Sequence, residues 1–268
     1  TSYLIGIAEQ DARIVVKHNN LNSGISGATN DALILAQGEF IALFDHDDIM
    51  TLDALERNVA VLNFNPGLDL IYCDECRVDE SDMPIDMFRK PSWSSIMLLN
   101  SMYTGHLSVY RRSLVERVGG FRSNYDFSQD YDLALRVTEL TTRVHHIPEL
   151  LYGWRAIAGS GAAGGKDFAR ESNIAALQDA MDRRHITGKA VPLPAANRAD
   201  RRGFMPTPLV SIIIPSDNGQ HITEAVRSII EVTEYTNYEI VIVTNSGLID
   251  ALANLANESV RFAAFDNP

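Results

Sequence analysis

Hydrophobic and polar positions along the chain change period in a way that predicts strands and helices in alternation. Apolar runs of strand length occupy 40–44, 68–72 and 209–215, and they are too short for ordinary helices. Between such runs, apolar residues recur at helical spacing, as at 52–62 and 168–184. This alternation favours an α/β fold in which helices flank a mostly parallel sheet.

The other predicted elements follow the same alternation. Further strands are predicted at 13–17, 105–111, 144–147, 150–154, 238–243 and 260–265. Further helices are predicted at 26–37, 130–139, 222–232 and 249–256. Residues 81–104 are rich in Pro, Ser and Met and lack an apolar period, which predicts a loop.

A change of composition predicts the domain boundaries. Residues 187–207 contain prolines, alanines and arginines without an apolar period, so we expect a linker there. Residues 208–268 then follow a strand–helix–strand–helix–strand pattern, the opening βαβαβ of a nucleotide-binding fold. The chain is therefore predicted to comprise a domain at 1–186, the linker, and a second portion at 208–268.

Composition limits the classes of partner. The 268 residues carry a net charge of −12, which argues against nucleic acid and against strong binding to anionic lipid. No apolar stretch reaches membrane-spanning length, and the first residues do not resemble a secretion signal. We expect a cytoplasmic protein, with peripheral docking at the inner face of the membrane compatible with this sequence. An anionic substrate would need a metal ion or a few Arg and Lys side chains.

Three carboxylates, Asp45, Asp47 and Asp48, directly follow the predicted strand 40–44. They repel one another unless a cation or a donor-rich ligand lies among them. Oxygen ligands suit Mg²⁺ or Mn²⁺, which often accompany phosphate-bearing substrates. The alternative is an acidic turn in which Asp48 or Thr51 caps the next helix. The residues alone leave both interpretations open.

Ten short motifs share one feature, their order along residues 12–186. They are Asn22-x-Gly24-Ile25-Ser26-x-Ala28-x-Asn30, Gly38-Glu39, Asp45-His46-Asp47-Asp48, Asp74-Glu75, Lys90-Pro91-x-Trp93, Gly105-His106-Leu107, Tyr110-Arg111-Arg112, Gly119-Gly120-Phe121-Arg122, Ser128-Gln129-Asp130-Tyr131-Asp132 and His146-Ile147-Pro148-Glu149. As a set, they resemble the inverting family 2 glycosyltransferases of the GT-A fold, of the kind that build bacterial O-antigen and other surface polysaccharides. Residues 208–268 resemble the start of a second copy of the same domain.

The resemblance implies the reaction. It is the metal-dependent transfer of a sugar, with inversion, from a UDP- or dTDP-linked donor to a glycan or lipid-linked acceptor. The resemblance implies Asp130 as the general base that takes the acceptor proton. The position of Asp130 also fits an N-cap of a helix at 131–139. Asp132 is expected to be structural.

Donor and metal roles are also implied by the resemblance. Asp47 and Asp45 would bind the Mg²⁺ or Mn²⁺ ion, and His146 is a further candidate ligand. Asp45 and Asp48 would contact or support the donor, and Arg155 would neutralise its diphosphate. These residues stand in the first portion of the chain.

Pro215 and Asn245 follow the first two predicted strands of residues 208–268 and are the candidates for nucleotide binding there. Trp93, His106 and Gln129 are the candidates for contacts with the acceptor or the sugar. Two positions depart from the family pattern. Gly153 stands where relatives often have His, and 244–247 lacks the Asp that relatives often carry for base recognition.

The two portions resemble complementary parts of one domain, because the first lacks an opening βαβ and the second has little else. We therefore expect residues 208–268 to complete the donor half of the sheet, within one chain or in a domain-swapped dimer. The alternative function is a non-catalytic carbohydrate- or partner-binding domain derived from a truncated glycosyltransferase. A nucleotidyltransferase is less favoured, since no Gly-rich loop bearing Lys or Arg follows strand 209–214.

Overall fold

The computed structural model describes residues 2–156, 167–194, 196–201 and 207–266. The chain divides into two compact units, Thr1–Gly203 and Phe204–Pro268. Each unit has its own strands and its own hydrophobic core. No helix in the described part of the chain is long and apolar enough to cross a membrane.

The first unit is built from helices and strands in a mixed order. Its helices are α1 (Ser2–Gln10), α2 (Gly24–Leu35), α3 (Ala54–Phe64), α4 (Ser95–Leu98), α5 (Arg112–Arg117), α6 (Gln129–Val137) and α7 (Asp167–Arg183). Its strands are β1 (Phe40–Ala42), β2 (Ile49–Met50), β3 (Leu70–Val78), β4 (Pro84–Phe88), β5 (Ser108–Arg111), β6 (Val144–Arg155), β7 (Gly188–Pro192) and β8 (Asn197–Arg201).

The main sheet of the first unit has the strand order β1-β5-β3-β6-β2, and β4 pairs with the far end of β3. Only the β3–β6 pair is parallel, whereas β1–β5, β5–β3, β3–β4 and β6–β2 are antiparallel. The α/β class is confirmed, but the sheet of this unit is mixed and not mostly parallel. The returning strands β4 and β5 account for the difference, since both run against β3.

Strand β3 forms the centre of this unit. Its residues Leu70, Ile71, Tyr72 and Cys73 are each at most 1% exposed, as expected for a continuous apolar run in a central strand covered on both faces. Leu70 and Ile71 lie in different hydrophobic clusters on the two faces of the sheet. The core therefore fixes β3, and through β3 its neighbours β5 and β6, which carry residues toward the acidic turn.

The structure differs from the sequence-based expectations at residues 13–17 and at residues 81–104. Residues 13–17 form no strand, because no neighbouring strand in the described part of the unit pairs with them. Residues 81–104 are not one loop, since β4 returns along β3 and α4 follows it.

The expected linker at 187–207 is mostly a hairpin, because β7 pairs with β8 and packs on α7. The directly opposed residues Ala190 and Ala199 face the core. Their small side chains give no apolar alternation strong enough to reveal the strands. The first unit accordingly extends to Gly203.

The second unit has the predicted βαβαβ order. It consists of β9 (Val210–Pro215), α8 (Gly219–Val232), β10 (Tyr238–Thr244), α9 (Ser246–Ala251) and β11 (Val260–Ala264). The three strands are parallel in the order β11-β10-β9. Its core joins Ile222 and Val226 of α8 to Ile240 and Ile242 of β10.

Candidate active site

The acidic turn after β1 is held by one buried carboxylate. Asp48 is 7% exposed and accepts hydrogen bonds from the Tyr152 hydroxyl at 2.5 Å and from the Arg155 backbone N–H at 2.9 Å. Burial raises the pKa of Asp48, although these two hydrogen bonds oppose the rise. Asp48 therefore anchors the turn to β6.

Asp45 and Asp47 remain accessible at the same turn. Their side chains are 50% and 28% exposed, respectively. The Arg155 Nε–H donates to the Asp47 carbonyl at 2.6 Å, and Arg155 also forms an ion pair with Asp82 at 2.5 Å. Arg155 thus lies at the acidic turn, bonded there to Asp47 and Asp82.

A cavity of about 590 Å³ opens beside this turn. Its apolar wall comes from α2 and β1, including Ile25, Leu33 and Ile41. Its polar end is formed by side chains that the sequence separates by up to 85 positions. They are Asp45, His46, His106, Gln129 and Asp130.

His106 lies between elements of this polar end. Its Nε2 is 3.5 Å from Asp45 Oδ2, and its ring stacks on Tyr152 with centroids 5.2 Å apart. Its Nδ1 is buried and has no hydrogen-bond partner among the described residues. The loop that carries His106 is held by the fully buried side chain of Lys90. The Lys90 ammonium donates to Glu75 Oε2 at 2.8 Å and to the carbonyls of Thr104 and His106 at 2.7 Å each.

Asp130 is in the first turn of α6 and not at its N-cap, which is Ser128. The capping interpretation of Asp130 is therefore wrong. Its Oδ1 accepts only from the adjacent Tyr131 N–H, at 2.8 Å, among the bonds described. Burial raises the pKa of Asp130, and the nearby His106 opposes that rise. The neighbouring Gln129 has a buried Oε1 without a hydrogen-bond partner in the described part of the chain.

Asp132, two residues further on, has a different environment. It is fully buried and forms ion pairs with Arg122 and Arg136, the latter at 2.7 Å. Arg136 also donates to the carbonyls of Val118 and Gly120. Asp132 therefore ties α6 to the turn before it and is structural, as the sequence predicts.

Two candidates lie away from the cavity lining. His146 Nε2 is 2.7 Å from Asp74 Oδ1, and the ring stacks on Tyr72 with centroids 4.8 Å apart. The structure pairs His146 with Asp74 and does not bring it to Asp45 and Asp47 as a metal ligand. Trp93 is partly buried and packs against the core near Tyr103.

Pro215 and Asn245 belong to the second unit. Pro215 ends β9 and pairs in register with Val243 near the end of β10. Asn245 caps α9, since its side chain accepts from the Leu248 N–H at 2.9 Å. Both residues thus lie at the carboxyl ends of parallel strands, where open α/β sheets bind ligands.

The oxygen atoms available at the acidic turn fit a hard divalent cation. Among the described residues, no three His, Cys, Asp or Glu side chains are grouped to hold a metal ion. Mg²⁺ nevertheless often takes only one or two carboxylates and fills its remaining positions with phosphate oxygens and water. Asp45 and Asp47 are the residues that would supply such a pair, because Asp48 is already engaged by Tyr152 and Arg155.

Sequence reasoning did not identify Lys90, Tyr152 and Asn30 as residues that build the site. Asn30 on α2 exchanges two hydrogen bonds of 2.8 Å with the backbone of Phe121, which fixes the cavity wall. Lys90 and Asn30 lie inside motifs of the family pattern, so their place in those motifs could have identified them. The contact of Tyr152 with Asp48 spans 104 positions and leaves no local signal.

Comparison with known proteins finds a family model that matches the first part of the chain. The model of the family described as Glycosyl transferase family 2 matches residues 2–119. The chain is 38% identical over 253 residues to the protein y4gI of Sinorhizobium fredii, covering 90% of this chain and 27% of that protein. It is 31% identical over 243 residues to the O-antigen biosynthesis protein RfbC of Myxococcus xanthus, covering 89% of this chain and 19% of that protein.

A solved structure supports the fold. TarS of S. aureus in complex with UDP-GlcNAc aligns with a TM-score of 0.51 at 18% identity, covering 66% of this chain and 53% of that chain. The likeness shows a GT-A type of fold. The chain spans about a quarter or less of the two curated relatives described above. From these matches, residues 2–119 of the chain are similar to the glycosyl transferase family 2 domain.

Proposed function

We propose that this chain transfers a sugar, with inversion, from a nucleoside diphosphate donor to a glycan or lipid-linked acceptor in surface polysaccharide synthesis. The observation that carries the proposal is the meeting of Asp45, His106 and Asp130 in one cavity. The accessible carboxylates of Asp45 and Asp47 and the partly buried, sparsely bonded carboxylate of Asp130 have distinct roles in such a reaction. The similarity to an O-antigen biosynthesis protein supports the class of product.

Asp130 is the group that takes the proton of the acceptor hydroxyl. The acceptor oxygen attacks the anomeric carbon from the face opposite the diphosphate, which inverts that centre. A raised pKa makes Asp130 a better proton acceptor than a fully solvated carboxylate. Its single described hydrogen bond, from the Tyr131 N–H, leaves carboxylate lone pairs for the incoming hydroxyl.

His106 lies close enough to both ends of the site to interact electrostatically with each. It lies beside Asp45 and also within electrostatic reach of Asp130. Lys90 keeps its loop in place, so that His106 is oriented before substrate binds. This preorganisation avoids the energetic cost of rearranging charges during the reaction.

Asp45 and Asp47 are the residues that would hold Mg²⁺ or Mn²⁺, with Asp48 keeping the turn in shape. When bound, the cation neutralises the charge that develops on the departing diphosphate. Arg155 adds a positive charge at the same turn. Binding of a UDP- or dTDP-linked donor is expected on the side of Asp45 and Asp47.

The expectation for residues 208–268 also stays a proposal. We propose that they supply the nucleotide-binding half of a donor site, within one chain or in a domain-swapped dimer. Two observations, one in each unit, support it. Residues 13–17 lack a pairing strand among the described residues of their own unit, and Pro215 and Asn245 lie at the ligand-binding edge of theirs.

The test is donor breakdown by the full chain, which needs no known acceptor. We would incubate it with UDP-glucose, UDP-N-acetylglucosamine, dTDP-rhamnose and GDP-mannose plus Mn²⁺ and measure released nucleotide. Wild type should hydrolyse at least one donor slowly. Asp130→Asn should reduce the rate by about 100-fold or more while keeping calorimetric binding of the nucleotide. Glu116→Gln, an exposed carboxylate on α5, is the matched control.

Metal dependence is tested by the same titration. Asp47→Ala should abolish the part of nucleotide binding that requires Mn²⁺, and Glu56→Gln on α3 should not. Nucleotide binding with no hydrolysis of any donor would favour a non-catalytic binding domain. The absence of both nucleotide binding and donor hydrolysis would contradict the proposed activity for this chain. Residues 1–203 and 204–268, expressed apart, should associate if the donor-half proposal is correct.

A further inference from the structure

A second cavity, of about 330 Å³, lies in the first unit on another side of the segment that carries Asp130. It is bounded by the residues after α4, the residues before α6, one face of α7 and the start of β8. Its lining is rich in amides and hydroxyls. The polar side chains are those of Asn100, Ser101, Ser128, Arg170, Asn173 and Asn197.

The amides of this cavity are fixed by the fold. Asn197 is 2% exposed, and its Nδ2 donates to Asn173 Oδ1 at 2.5 Å. The Asn197 backbone N–H donates to the Asn100 carbonyl at 2.7 Å. A carboxamide has two donor hydrogens and two acceptor lone pairs, so these bonds leave capacity for a ligand. The cavity therefore presents preorganised polar groups.

The charges in the lining indicate a neutral ligand. Among the residues that the structure describes, the lining holds no carboxylate. Arg170, the cationic side chain among the described lining residues, donates to the carbonyls of Leu193 and Ala196. These bonds hold the chain before β8 and direct the guanidinium toward backbone. An anion such as a phosphate would find little unused positive charge here.

Phe127 forms an aromatic rim on this cavity. Phe127 is 57% exposed as a residue and lines the cavity, and its φ of +72° is in the left-handed region. That conformation costs a non-glycine residue about 1–2 kcal/mol, a bulky residue rarely adopts it, and strained residues of this kind cluster at functional sites. Pyranose rings pack their C–H faces on aromatic rings, while their hydroxyls bind amides and hydroxyls. Phe127 and the asparagines supply both kinds of contact.

The cavity is close enough to Asp130 for one saccharide to reach both. Phe127 and Asp130 are three residues apart, so their Cα atoms are at most about 11 Å apart. Ser128 lines this cavity, and the next two residues line the cavity of the acidic turn. Since sugar units in a chain are a few ångströms long, this separation is within the length of a short glycan.

We propose that the cavity bordered by Phe127 binds a neutral sugar unit of the acceptor, next to the unit whose hydroxyl faces Asp130. The proposal rests on the proposed function and adds the place where acceptor length is recognised. It predicts that the chain binds neutral oligosaccharides in the absence of any donor.

The test uses an array of neutral oligosaccharides from bacterial O-antigens and capsules, followed by solution titration of the glycans that bind. Phe127→Gly removes the ring and suits the left-handed backbone, so the fold should be as stable as wild type or more stable. Phe127→Gly should weaken glycan binding by about tenfold or more. Phe127→Trp, which keeps an aromatic ring, should bind glycan as wild type does. Phe64→Ala, which removes an exposed phenylalanine at the end of α3, should change nothing.

Calorimetric titration of UDP with Mn²⁺ separates this proposal from the proposed function. Loss of glycan binding in Phe127→Gly with UDP binding unchanged supports the subsite. Equal glycan binding by wild type and Phe127→Gly would overturn it, as would an array on which wild type binds no neutral glycan. Glycan binding that depends on Phe127, without hydrolysis of any donor, keeps the subsite and rejects the enzymatic activity.

Discussion

Tyr152 on β6 donates its hydroxyl hydrogen to Asp48 Oδ2 at 2.5 Å, across 104 positions of sequence. This bond joins the buried member of the acidic turn to the strand that neighbours β3. It leaves Asp45 and Asp47 as the members of the turn that face solvent. The geometry of the proposed donor site therefore depends on a residue outside the acidic motif.

Replacing Tyr152 tests this dependence. Tyr152→Phe removes a donor from a buried carboxylate and should lower the free energy of unfolding at pH 7 by about 1.5–3 kcal/mol. Urea unfolding followed by circular dichroism measures the difference. A loss below about 0.5 kcal/mol would mean that the bond does not hold the turn.

The pH dependence of that loss has a defined sign. Burial raises the pKa of Asp48 above its ordinary value of 3.8 in the folded state. The stability that this group contributes is therefore full below pH 3.8 and is lost as pH rises through its folded pKa. Tyr152→Phe raises that pKa further, so the difference from wild type should widen as pH rises from about 4. Asp48→Asn should remove this pH dependence, and parallel profiles for all three proteins would contradict the assignment.

Asp130 and Asp132 should respond oppositely to substitution. Asp132→Ala leaves Arg122 and Arg136 without their shared carboxylate and should cost about 3–5 kcal/mol of unfolding free energy. Asp130→Asn should leave stability unchanged or slightly higher, because it removes a charge that burial disfavours. Urea unfolding and donor hydrolysis, measured on both variants, check the two roles. The reverse outcome would move the base assignment away from Asp130.

Lys90 should act as a positioning residue for His106. Lys90→Met leaves Glu75 unpaired and frees the carbonyls of Thr104 and His106, so we expect a loss of about 3–5 kcal/mol. The double variant Lys90→Met/Glu75→Gln should recover part of it, because no buried charge is then left alone. Donor hydrolysis should stay low in the double variant. Recovery of full hydrolysis together with stability would show that Lys90 serves folding alone.

The hairpin of β7 and β8 gives a test on two faces of one strand. Ala190 packs on the core and Lys189 is exposed. Ala190→Glu should lower the free energy of unfolding by about 1–3 kcal/mol, because the carboxylate would enter an apolar contact. Lys189→Glu should change it by less than about 0.5 kcal/mol. Equal effects of the two substitutions on stability would indicate that residues 187–207 form a linker, as the sequence predicts, and not a packed hairpin.

The pattern of apolar and polar residues correctly predicted most elements whose own segment carries a clear apolar run or period. The apolar run at 68–72 became the central strand β3, and the βαβαβ order of residues 208–268 was observed. Residues 13–17 have strand composition but form no strand, since a strand needs a partner that local sequence does not specify. Ala190 and Ala199 show the converse, because small residues form strands when a core lies beneath them.

For the candidate site, the sequence by itself determined the carboxylates of the acidic turn and the motif around Asp130, since these groups are contiguous. Only the tertiary structure decided which carboxylates stay available, because Tyr152 and Arg155 engage Asp48 from a distant strand. It also separated His146 from the acidic turn by pairing it with Asp74, and it placed His106 between Asp45 and Asp130. The physical reason is that burial and partners arise from contacts across the sheet, which no local spacing encodes.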